Sequence, residues 1–130
     1  MLRIALISTI LPALLTWAAA AQSLSPMRAE RISFTDRGAI SLSITNPYPT
    51  AQHFTLRITD LEGHPIDQSW LPATQVHLGP AMSRQVLAVV GFEGMSQRSF
   101  RVCVTSAPFY TGSGSLRGEV CGKYHFYAAS

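Results

Sequence analysis

Residues 100–105 read Phe100-Arg101-Val102-Cys103-Val104-Thr105. Successive side chains of an extended chain point to opposite faces. Phe100, Val102 and Val104 therefore share one face, and Arg101, Cys103 and Thr105 share the other. A strand with one face on a core and one toward solvent needs this pattern. The same period recurs upstream, where Ile40, Leu42 and Ile44 alternate with Ser41, Ser43 and Thr45. It recurs again where Phe54, Leu56 and Ile58 alternate with Thr55, Arg57 and Thr59. Val86 to Val90 is more continuously apolar and is expected to be a more buried strand. Ile32 and Phe34 mark a short early strand, and Val120, Tyr124 and Phe126 a last one.

Turn chemistry separates these runs: Asp36-Arg37-Gly38, Asn46-Pro47-Tyr48-Pro49, Glu62-Gly63-His64-Pro65, Gly79-Pro80 and Thr111-Gly112-Ser113-Gly114-Ser115. Gly supplies positive φ, Pro presets φ, and Asn bonds its own backbone, so each cluster can stop a strand. No stretch sustains a 3.6-residue period. Short strands punctuated in this way predict an all-β sandwich.

The first residues have another character. Arg3 precedes an apolar run from Ile4 to Trp17, and Ala18 to Ala21 supply small residues. Ala19 and Ala21 fit an A-x-A cleavage site, so residues 1–21 are expected to be an export signal cut before Gln22. The run falls short of the roughly 20 apolar residues of a spanning helix, and Pro12 interrupts it, which argues against a stable membrane anchor. Residues 22–130 then form one domain of about 109 residues, enough for one core. That part keeps nine of the ten Lys and Arg and all seven acids. Its charges are scattered, so no nucleic-acid partner is expected.

Cys103 and Cys121 are the two cysteines of the chain. In an oxidising compartment they are expected to form a disulfide, closing a loop of about 18 residues. Cys103 points away from the core face of its strand, so a bonded Cys121 does too. Lys123, His125 and Tyr127 then share that outer face, while Val120, Tyr124 and Phe126 face inward. The last two strands should be neighbours, stapled on their outer surface.

Three stretches carry a likeness to a known family: Arg31-Ile32-Ser33-Phe34 with Gly38 and Ser41 to Asn46; Arg98 to Pro108; and Lys123-Tyr124-His125-Phe126-Tyr127. In order and spacing they resemble the N-terminal domain of periplasmic pilus (fimbrial) chaperones, the PapD-like group. The resemblance implies a seven-stranded immunoglobulin-like β-sandwich, a periplasmic or secreted location and a protein partner, such as a pilus-type subunit or another envelope assembly component. It also implies that a basic pair, Arg31 and Lys123, grips a partner's C-terminal carboxylate by charge-assisted hydrogen bonds. The last strand would lend its edge to the partner's sheet. Arg31 is opposite in phase to Ile32 and Phe34, as Lys123 is to Tyr124.

Two other readings stand beside this one. A stand-alone structural or surface domain would make its contacts through Phe109 and Tyr110, in a loop between the last two strands. A periplasmic copper-binding protein would use His53, His64, His77 or His125 with Met27, Met82 or Met95, although no two histidines share a close ligand spacing. Tyr48 and Trp70 are more naturally residues that close the ends of a sandwich. No G-x-S-x-G, H-E-x-x-H or phosphate-binding glycine loop occurs, so neither an enzyme nor a cofactor is expected.

Overall fold

The structure is a computed structural model that describes residues 23–111 and 114–129. The export segment at 1–21 lies outside the described residues. Two antiparallel-rich sheets face each other. One holds β1 (Ser23–Ser25), β3 (Arg37–Thr45), β7 (Ser83–Gly91) and β5 (Ser69–Trp70), in the order β1-β3-β7-β5. The other holds β2 (Arg28–Ser33), β11 (Glu119–Ala128), β8 (Gln97–Ser106), β4 (Gln52–Thr59) and β6 (Gln75–Leu78), in the order β2-β11-β8-β4-β6. A separate hairpin joins β9 (Phe109–Thr111) to β10 (Gly114–Leu116).

The all-β, immunoglobulin-like sandwich is as the sequence predicts. Its two sheets hold nine strands where seven were expected. One extra strand arises because Pro26 cannot donate to a ladder. The chain leaves β1 there and crosses to the other sheet as β2. The second is the two-residue β5 beside β7.

The alternating runs bury the faces expected of them. Leu42 and Ile44 from one sheet meet Phe54, Leu56, Phe100, Val102 and Val104 from the other. β7 departs from the expected continuous burial. It alternates, with Val86, Ala88 and Val90 inside and Leu87 exposed. The early strand departs further. Ile32 is 65% exposed and Phe34, just beyond β2, is 85% exposed. Here β2 is an edge strand running parallel to β11, and Ile32 takes the outward Tyr127 as its register partner. Its core-side residue is Ala29, opposite Tyr124.

Two glycines allow the large rings of β11 to seat. A Cβ on Gly122 would lie 2.0 Å from the Tyr124 hydroxyl oxygen, and one on Gly38 would lie 1.7 Å from the Phe126 ring. Asn46 closes one end of the sandwich. Its buried Nδ2 donates to the carbonyls of Thr50, Leu78 and Gly79, and its Oδ1 accepts the Tyr48 N–H. The amide is thereby fully partnered, as a buried polar group must be.

Candidate partner-binding edge

β11 is held along its whole length by β8, with Cys121 opposite Cys103. The Ser106 N–H donates to the Gly118 carbonyl, which fixes the phase of the ladder. Val120 and Gly122 therefore direct their main-chain groups toward β8, and Cys103–Cys121 is a non-hydrogen-bonded pair, where side chains approach most closely. The two cysteines form a disulfide with Cα atoms 4.1 Å apart. Beside it on the outer face, Glu119 accepts from Arg57 at 3.1 Å and from Thr105 at 2.8 Å.

The other side of β11 is divided. From Lys123 onward it pairs with β2, beginning where the Lys123 N–H donates to the Met27 carbonyl. From Glu119 to Gly122 no strand among the described residues pairs with it. By the alternation of the ladder, Glu119 and Cys121 present main-chain N–H and C=O groups to that open side.

The open stretch ends at a row of cations. Lys123 lies opposite Arg28 on β2 and opposite Arg101 on β8. Register partners share a face, and adjacent strands lie about 4.8 Å apart, so three positive side chains stand in one line across the outer surface. Like charges placed directly opposite repel. Among the described residues no salt bridge engages any of the three. Arg28, Lys123, Glu30 and His125 line a shallow depression there. Beneath it, the Tyr124 hydroxyl donates to the Pro26 carbonyl at 2.7 Å, and burial pushes its pKa up to about 12.

The residues predicted from the sequence fall in three places. Lys123 is exposed on the outer face, in the expected phase. Arg31 takes Phe126 as its register partner, three residues along, and its guanidinium donates to the Glu30 carbonyl at 2.9 Å. It emerges in the core-side phase of β2, by the groove that runs past Gly38 to Phe126. Phe109 and Tyr110 lie on β9, with Tyr110 opposite Ser115, and their side chains are outside the described part. The sequence reading missed Arg28 and Arg101. Arg101 was legible as an outward residue of its strand, but its neighbours follow only from the two registers of β11.

For metal ligands, the one grouping of three among the described residues is Cys103, Glu119 and Cys121. Its sulfurs are tied to each other and offer no thiolate.

Comparison of the sequence with family models and with curated proteins gives no match. Solved structures do match. A chain of the Salmonella enterica SafA pilin–SafB chaperone complex superposes with a TM-score of 0.68 at 16% identity, over 88% of this chain and 57% of that one. The E. coli chaperone DraB gives 0.66 at 14% identity, over 83% of this chain and 55% of its own. The seventh PapD-like domain of human CEP192 gives 0.61 at 8% identity, over 98% of both. The chain thus spans little more than half the length of the bacterial chaperones it matches, and nearly all of the human domain. Its fold is that of the N-terminal immunoglobulin-like domain of PapD-like pilus chaperones.

Proposed function

We propose that the chain is exported, cut after Ala21, and works in the periplasm as a non-enzymatic, chaperone-like module for a protein partner. The reading rests on one juxtaposition: the open stretch Glu119–Gly122 runs directly into the row Arg28–Lys123–Arg101. A partner strand laid parallel to β11 along that stretch stops where β2 begins. Its C-terminal carboxylate then arrives among the cations, whose mutual repulsion an anion relieves. Main-chain bonds to Glu119 and Cys121 supply affinity, and the cations set where the strand ends. The SafB structure is that of a chaperone with its pilin, which favours a pilus-type subunit as the partner class.

The test uses short β-prone peptides with a free C-terminus and the same peptides amidated. Amidation should weaken binding at least tenfold, and so should Lys123→Ala. Equal binding of both peptide forms would remove the carboxylate grip. Arg28→Ala and Arg31→Ala decide which arginine is Lys123's partner: the register favours Arg28, and the family resemblance favours Arg31.

A further inference from the structure

His53 on β4 and His77 on β6 are register partners at the far edge of the five-stranded sheet. The Leu56 N–H donates to the Thr74 carbonyl in the same ladder. That fixes the phase and makes His53–His77 a non-hydrogen-bonded pair, the closely spaced kind. Both side chains are exposed on the outer face. Their ring centroids are 4.2 Å apart. His77 Nδ1 lies 3.2 Å from Nδ1 and 3.1 Å from Nε2 of His53.

We infer that His53 and His77 form a two-imidazole site for a divalent transition-metal ion, Cu(II) ahead of Zn(II). Two metal–nitrogen bonds of about 2.0–2.1 Å span about 2.9 Å at a right angle and about 3.3 Å at the tetrahedral angle. The observed nitrogen separations fall between these limits, so the register sets the two rings at the right distance, and rotation of the exposed side chains turns one in-plane lone pair of each toward a common ion. Each neutral ring has one lone pair to give once its proton sits on its other nitrogen. Water fills the remaining positions, because the face is open. The order Cu(II) over Zn(II) follows the general affinity of nitrogen donors for these ions. The other two histidines are committed differently. His64 lies 3.4 Å from the Asp60 carboxylate, and His125 bonds Ser99 and Gln97.

The site also has a structural effect. β6 is a four-residue edge strand, and a metal shared by His53 and His77 would clip it to β4.

The test is calorimetric titration of the tag-free, disulfide-intact chain with CuCl2 and separately with ZnCl2. One equivalent should bind, and His53→Asn or His77→Asn should each weaken it at least tenfold, while His64→Asn leaves it unchanged. Free metal a hundredfold above its Kd should raise the melting temperature by about 10 °C in the parent and not in either variant. Absence of a one-equivalent step, a step that survives His53→Asn or His77→Asn, or one metal per two chains would overturn the assignment. Circular dichroism of both variants without metal checks that they fold. If one fails to, the His53→Gln or His77→Gln chain replaces it under the same criteria.

Discussion

On its β8 side, β11 is paired from Glu119 through Tyr127, cross-linked at Cys121, and packed through Tyr124 and Phe126 against Phe100. On its β2 side it is paired only from Lys123, sets Lys123 against Arg28, and is bordered by the exposed Ile32 and Phe34. One strand thus has a flank on which every feature but the Lys123–Arg101 pair favours folding and a flank on which several oppose it. Like charges in register, large apolar side chains in water and unpaired main-chain groups all cost stability, and most of them gather on the second side. Where a sequence tolerates such costs together, recognition is the natural reason for keeping them.

Substitutions can break this contrast in order of size. Phe126→Ala empties a core site where Phe100 meets the ring edge-on, and should cost about 4 kcal/mol in urea unfolding. Phe34→Ala, at the opposite flank, should stay within about 0.5 kcal/mol of the parent. Replacing Cys103 and Cys121 together by Ala should cost about 3 kcal/mol, from the loop entropy returned to the unfolded chain. Gly122→Ala drives a methyl group into the Tyr124 hydroxyl and should cost about 2 kcal/mol. Adding Tyr124→Phe should recover part of that loss, because the nearest clashing atom is gone while the ring carbon 2.6 Å away stays, and a double-mutant cycle would measure the coupling.

Tyr124 also sharpens the comparison through pH. Burial raises its folded pKa to about 12, above the ordinary tyrosine value of about 10. Burial favours the neutral hydroxyl, so this contribution is fully present below about pH 10 and is lost as pH rises toward 12. Melting curves across that window should show a fall that Tyr124→Phe reduces. The smallest effect is expected at the cation row. Arg28→Gln or Arg101→Gln should leave stability unchanged or raise it by less than about 1 kcal/mol, with the gain shrinking in high salt. A clear destabilisation would mean that the row serves the fold and not a ligand.

The two flanks also differ in how much of them could be read in advance. The β8 flank was legible because period-2 alternation and a single possible cysteine pairing fix the phase of both strands. From Cys103 alone, the outward set Lys123, His125 and Tyr127 follows. The β2 flank was not, because an edge strand obeys its neighbour's register more than its own hydrophobicity. Ile32 and Phe34 look like core residues and stand in solvent. Arg28 meets Lys123 across 95 positions of sequence, and only the crossing at Pro26 brings them together. His53 and His77 were legible as candidate ligands, but their pairing with each other was not, for a similar reason. A separation of 24 residues has no ligand spacing, yet the pairing of β4 with β6 brings the two rings together, tilted by 57° with centroids 4.2 Å apart.

The cystine at Cys103 and Cys121 has a mechanical consequence. A partner strand attached along the open stretch of β11 would pull on Glu119 and Cys121, and a terminal pull on one strand unzips a ladder bond by bond, at low force. The cross-link interrupts that sequence at Cys121, inside the attached stretch. Load entering there passes through the sulfurs into β8, in the middle of the sheet, and the remaining hydrogen bonds are sheared together.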